Sequence, residues 1–197
     1  MNQKSQTTEE VLAAGMKHLI TVMPFEKITV KAIADEAHVK RPTFYNHFKD
    51  KYDIVEYILK QELIEPARTL MACDMLGEAI RLILVTMKKE KKFYMHVARI
   101  DEDVIFQRIV RELFKELLLD VMRERMADED NGNPMLTMDN IAEYYAYGIS
   151  FGISKWIQKG MKMEVDEVLE ALKVLLSESL TDMIYHRNGE QKSVNIV

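Results

Sequence analysis

The side chains best suited to engaging a partner lie between Ile28 and Lys51, in the run ITVKAIADEAHVKRPTFYNHFKDK. Arg41, Thr43, Tyr45, Asn46 and His47 are crowded into one short stretch and interleaved with Phe44 and Phe48. Phe44 and Phe48 stand one helical turn apart and mark a buried face, so the polar residues look outward. An arginine forks onto guanine, an asparagine onto adenine, and a threonine methyl meets thymine, each good bidentate pair discriminating by ~1–3 kcal/mol. Tyrosine and threonine hydroxyls, with Lys31 and Lys51 at the edges, suit phosphates and fix register without reading sequence. The chemistry is recognition of double-stranded DNA.

Bond-making chemistry has one candidate, Gly148-Ile149-Ser150-Phe151-Gly152, which spells the G-x-S-x-G of a serine-hydrolase nucleophile elbow. That elbow needs a strand before it and an oxyanion-hole loop upstream. Here the five residues lie inside a helical run, Ile141 to Trp156, so a serine hydrolase is the remotest alternative. The five histidines, His18, His38, His47, His96 and His186, show no metal-ligand spacing, and no phosphate-binding or dinucleotide glycine loop is present. The single cysteine, Cys73, allows neither an internal disulfide nor a multi-thiolate site. The expectation is a non-enzyme without cofactor or metal.

The elements that must position this face are helices. Seven Gly and four Pro among 197 residues leave few breakers, and the chain is predicted to be all-α. Leu12, Met16, Leu19, Ile20 and Met23 stripe a first helix, with Thr7 or Thr8 as its cap and Pro24 at its end. Thr29 caps a short second helix burying Val30, Ile33, Ala34 and Ala37. After a break at His38-Val39-Lys40, a third opens with Pro42 in its first turn. Beyond Asp53 the apolar pattern runs to a break at Pro66, then over Leu76 to Met87 and Val104 to Met126. The stretch Asp128 to Pro134 forms a loop. Two last helices cover about Met138 to Gly160 and Val165 to Tyr185, the second carrying Val165, Val168, Leu169, Leu172, Leu175, Leu176 and Leu180. The predicted division is 1–52 as a DNA-binding domain with a helix-turn-helix, 53–187 as a helical effector-binding and dimerisation domain, and 188–197 as a flexible tail.

Charge is divided in the same way. Residues 1–51 carry eight Lys/Arg against six Asp/Glu, and the remainder 19 against 26, within a net charge of −5. The front end is the part compatible with phosphates, and an acidic body discourages binding to a polyanion the wrong way round. No apolar run reaches the ~18 residues of a membrane helix, and Met1 to Glu10 lacks a signal-peptide pattern, which predicts a cytoplasmic protein with no membrane partner.

Over roughly residues 8–60 the chain resembles the tetracycline-repressor (TetR/AcrR) family, whose DNA-binding domain carries a pattern matched here by Thr29, Ile33, Ala34, Ala37, Val39, Thr43, Phe44, Tyr45, His47, Phe48 and Lys51. The resemblance implies that Lys31, Arg41, Thr43, Tyr45, Asn46, His47 and Lys51 face DNA. It also implies a ligand-responsive repressor that grips a palindromic operator as a homodimer. A dimeric adaptor on the same fold that binds no DNA is the alternative. Two positions depart from the pattern: His38 stands where glycine is common in the turn, and Lys40 where a Ser or Thr cap is common. Histidine tolerates the left-handed turn conformation better than most residues.

Further along, only the family's architecture carries over: a helical body that dimerises and holds a small-molecule effector. Gly148 and Gly152, with Ser150 and Ser154, form a small-residue strip. Together with Leu172 and Leu176 of the last helix they are the expected dimer interface. Phe93, His96, Arg99, Tyr145 and Tyr147, with Phe106, Phe114 and Trp156, are the expected pocket lining, and His96 and Arg99 would be polar handles for an anionic effector. Fourteen Met residues suit an adaptable cavity and a plastic core alike.

Overall fold

A Thr-x-x-Glu pattern opens the first helix. In the computed structural model the Thr7 hydroxyl accepts from the Glu10 amide at 3.2 Å, while the Glu10 carboxylate accepts from the Thr7 amide at 2.9 Å. This reciprocal cap starts α1 (Thr8–Val22), which buries Leu12, Met16, Leu19 and Ile20 and stops ahead of Pro24. The structure describes residues 6–99, 104–125 and 133–178.

A 3₁₀ turn, Phe25–Lys27, leads to α2 (Val30–Glu36), whose cap is the expected Thr29 hydroxyl accepting from Ala32 N–H at 3.1 Å. The chain then reverses at His38, whose φ of 55° is the left-handed turn conformation that glycine would take without strain. It enters α3 (Arg41–His47) with Pro42 in the first turn and no side-chain cap from Lys40. Asp50 caps α4 (Lys51–Leu59), accepting from the amides of Tyr52 and Asp53 at 2.7 and 3.0 Å.

At Pro66 the expectation of a break fails. The helix passes from α4 through a π turn at Lys60–Ile64 into α5 (Glu65–Ala72). Within that turn the amide of Glu65 reaches back to the carbonyl of Lys60. The widened turn interrupts the ordinary ladder just where proline cannot donate, so the missing N–H costs little and the helix goes on.

The body continues with α6 (Leu76–Lys89), α7 (Lys91–Val97), α8 (Val104–Arg125), α9 (Met138–Gln158) and α10 (Val165–Ser177). Thr137 caps α9, and a Glu164–Glu167 capping box starts α10. Among the described residues there is no strand, and the all-α class holds. The predicted loop from Asp128 through Gly132 lies outside the described residues, as do the continuation of the last helix to Tyr185 and the tail from Asn188. The longest side-by-side packing is α8 on α9. Helix α10 closes on α6 and α9, and α1 packs on both α4 and α7. Buried apolar side chains form one continuous cluster from Leu12 to Leu172, so the helix-turn-helix rests on the body.

Candidate nucleic-acid interface and body sites

Phe44 and Phe48 are buried under α3, their rings 5.7 Å apart, and Phe48 continues onto Tyr57 of α4. That anchor turns the opposite face of α3 to solvent. Arg41, Tyr45 and Asn46 are exposed and Thr43 is half-buried. The Arg41 guanidinium stacks over the Tyr45 ring at 5.5 Å and donates to its hydroxyl at 3.0 Å, so two of the expected contact residues are already ordered against each other. Lys31, on α2, is exposed and pairs with Asp35 one turn on.

The other two expected contacts are tied inward. His47 Nδ1 lies 2.7 Å from the Glu9 carboxylate on α1. Backbone hydrogen bonding and this imidazole hold the Glu9 carboxyl below the usual carboxylate range. Lys51 turns back under the head. Its ammonium donates to the carbonyls of Phe25 at 2.9 Å, Ile28 at 3.3 Å and Glu26 at 3.4 Å, and sits 4.3 Å from the Phe25 ring centre. Partial burial lowers its pKa. Lys51 therefore clamps the turn between α1 and α2, with its ammonium on backbone carbonyls where a free phosphate contact was expected. The sequence pattern contains it but does not say which way it points.

Head and body meet at Glu62, inside the π turn. Lys17 of α1 donates to Glu62 at 2.6 Å and lies 3.4 Å from Glu90, between α6 and α7. The buried Tyr94 hydroxyl of α7 donates to Glu62 at 3.2 Å. Burial, reinforced by the charge on Glu62, raises the Tyr94 pKa well above that of an ordinary tyrosine. Sequence reasoning missed this junction because its partners come from three elements far apart in the chain.

The expected pocket residues do not converge. A cavity of about 350 Å³ opens between α5, α6, α8, α9 and α10, and of the expected set only Phe114 and Tyr145 line it, with Met71, Leu76, Ala79, Ile80, Ile83, Leu117, Leu118, Met122, Ile141, Ile149 and Leu176. His96 and Arg99 instead border a different cleft, against the end of α1 and residues Met23 to Glu26. Arg99 lies beyond the end of α7, and His96 Nδ1 is occupied by the Lys92 carbonyl at 2.7 Å. Phe93 and Phe106 are core side chains. Tyr147 lies on the surface with Arg111 stacked 4.5 Å from its ring, and the Trp156 indole donates to the Met163 carbonyl.

The expected interface residues are also redistributed. A Cβ added to Gly152 would come within 2.9 Å of Leu172 Cδ2, so Gly152 and Leu172 join α9 to α10 inside one chain, while Leu176 lines the cavity. Gly148 has open space over it. Around it on α9 stand Tyr144 at 74% exposure, Tyr147 at 51% and Phe151 at 60%, and α10 adds Leu175 at 60%. The serine of the G-x-S-x-G spelling sits mid-helix, its hydroxyl donating to the Tyr147 carbonyl at 3.0 Å, so no elbow exists. Among the described residues no group of three His, Cys, Asp or Glu could hold a metal ion, and no helix is long and apolar enough to cross a membrane.

Comparison with known proteins agrees with this geometry. The chain is 24% identical over 164 residues to DhaS of Lactococcus lactis subsp. lactis, an HTH-type dhaKLM operon transcriptional activator, covering 82% of this chain and 86% of that protein. Among solved structures, the fatty acid degradation regulator FadR from Bacillus halodurans superposes with a TM-score of 0.61 at 16% identity, over 90% of this chain and 98% of that one. Thermus thermophilus FadR, a repressor solved in complex with lauroyl-CoA, gives 0.56 at 20% identity, over 87% and 95%. Residues 12–58 match the bacterial regulatory proteins of the tetR family, and residues 74–178 match a transcriptional regulator C-terminal region. With both the head and more than half of the chain matched, the protein belongs to the tetR family of transcriptional regulators.

Proposed function

We propose that this protein is a homodimeric, sequence-specific DNA-binding regulator that represses by occupying a palindromic operator and is released by a small-molecule effector. The observation that carries the proposal is the outward face of α3: Arg41, Thr43, Tyr45 and Asn46 stand opposite the buried Phe44 and Phe48. A short helix so anchored fits the major groove, the groove in which every base pair shows a distinct edge pattern. Arg41 and Asn46 are assigned to bases, Thr43 to a base methyl or phosphate, and Tyr45 and Lys31 to the backbone. His47, whose Nδ1 is held by Glu9, is assigned a DNA contact through Nε2, and Lys51 acts by holding the turn.

Two heads on one palindrome must be spaced by about one helical turn, ~34–36 Å. The apolar strip of Tyr144, Tyr147, Gly148, Phe151 and Leu175 is the surface on which we place the dimer axis. The effector belongs in the cavity between α6, α8 and α9. Helix α6 runs from that cavity to Glu90, and Glu90 and Glu62 both face Lys17 of α1, so a displaced α6 alters the seat of the head. The effector shifts the population by no more than its preference for one head spacing over the other.

Selection of binding sites from a random duplex pool, followed by salt titration of the winning site, tests the reading. A palindromic winner whose affinity drops steeply with salt and collapses in Arg41→Ala and Tyr45→Ala supports it. No enrichment, with both variants like wild type, makes the protein a dimeric adaptor without DNA. The Lactococcus lactis relative is named an activator, so a promoter reporter carrying the selected site fixes the sign: repression is expected without effector.

A further inference from the structure

The cavity between α5, α6, α8, α9 and α10 has a lining that discriminates by chemistry as well as by size. Ala79, Ile80, Ile83, Phe114, Leu117 and Ile149 form its buried wall. Among the described residues the remaining lining is aliphatic or thioether except for Tyr145, which brings the one polar side-chain group, a hydroxyl. Among the described residues, no ionisable acid or base other than that phenol borders the space. Two arginines on the lining helices α5 and α8 are occupied. Arg125 donates to the carbonyls of Met71 and Ala72 and is paired with Asp74, and Arg68 is paired with Asp120 and Glu65. A buried carboxylate or phosphate here would meet neither a counter-ion nor a set of donors, and an unpaired ion in apolar surroundings is strongly disfavoured.

We propose that this cavity binds an uncharged, predominantly hydrocarbon ligand with at most one hydroxyl or carbonyl group, which the Tyr145 hydroxyl receives. About 350 Å³ corresponds to roughly ten to twelve heavy atoms at the ~30 Å³ share of liquid water. The proposal rests on the effector role assigned to the cavity above, and it replaces the anionic effector expected from His96 and Arg99, which border another cleft.

The test uses the purified full-length protein with 1-decanol, decanoate and decyl phosphate as matched probes, read by calorimetry and by thermal shift, at a pH where the carboxylate is ionised. Decanol should bind and raise the melting temperature, with decanoate and decyl phosphate at least about tenfold weaker, a difference of ~1.4 kcal/mol or more. Leu118→Trp fills the space from a half-buried position, and Ile80→Phe fills it from the wall; either variant that folds should lose decanol. Tyr145→Phe should weaken decanol several-fold. Charged probes that bind as well as decanol overturn the proposal. So do folded Leu118→Trp or Ile80→Phe proteins that bind it like wild type, or a wild-type protein that does not bind it at all. Selective decanol binding that leaves operator affinity unchanged upholds the ligand class and refutes the effector role instead.

Discussion

Lys51→Met separates two roles that one lysine can play in a DNA-binding head. The methionine keeps an apolar stem beside Phe25 and removes the ammonium. That ammonium has one well-placed acceptor, the Phe25 carbonyl at 2.9 Å, and two longer ones at 3.3 and 3.4 Å. A hydrogen bond from a charged group contributes ~1.5–3 kcal/mol, and the cation over an aromatic ring adds ~0.5–1 kcal/mol at an exposed site. The group is only partly buried, so water replaces some of what is lost, and a net destabilisation of about 2 kcal/mol is expected. For a chain of this size that lowers the melting temperature by roughly 4–8 °C. Denaturant titration with an unchanged m-value measures it directly. DNA binding supplies the contrast. A lysine neutralising one phosphate per head contributes ~0.9 to the salt slope for each, or about 1.8 for a dimer. A clamp contributes nothing, so Lys51→Met should weaken operator binding through a looser head while leaving the salt slope at its wild-type value. Wild-type stability together with a slope reduced by nearly two would refute the clamp and return Lys51 to the phosphates.

Three further outcomes are expected. Tyr94→Phe should flatten the alkaline limb of the stability curve: the folded pKa of Tyr94 is raised, so its contribution is present below the ordinary value of ~10 and is lost as pH rises past it. Equilibrium unfolding across that range checks the difference. Glu62→Gln should leave effector affinity in place but reduce the effector's influence on operator affinity, because Lys17 and Tyr94 lose their shared carboxylate; paired titrations with and without effector measure that coupling. Phe151→Asp and Leu175→Asp should give folded monomers by sedimentation and lose high-affinity operator binding, whereas dimers of wild-type stability would move the interface elsewhere.

The head was largely legible because its determinants are local. Thr29 three residues before Ala32, Pro42 in a first turn and Phe44 one turn from Phe48 each specify geometry within five residues and appear as expected, while of the two candidate caps Thr7 and Thr8 it is Thr7, paired with Glu10, that starts α1. His38 illustrates the same point, since a turn of that length needs a left-handed residue and histidine supplies one. Pro66 departs from its expected role for a related reason. Its effect depends on whether the preceding turn has already given up a hydrogen bond, and a π turn formed by packing leaves no mark in the hydrophobic pattern.

Body sites obey a different rule, because the face a residue shows is set by helices distant in sequence. Helix geometry nevertheless decides some of these faces. Tyr145 and Tyr147 are two positions apart, about 200° around a helix, so they cannot line one pocket: Tyr145 borders the cavity and Tyr147 meets Arg111. Gly148 and Gly152 do share a face, yet α10 crosses α9 at only one of them, which puts Leu172 against Gly152 and leaves Gly148 open beside Phe151. Periodicity predicts that a face exists; the crossing decides whether it is filled from within the chain or left for a partner. The same crossing leaves Leu176 at the cavity and Leu175 exposed, so α10 carries both surfaces on adjacent residues. A ligand that presses on Leu176 therefore acts on the helix that also presents Leu175 to the proposed dimer axis. On the proposed reading, effector occupancy and head spacing would be linked through α10 as well as through α6 and Lys17.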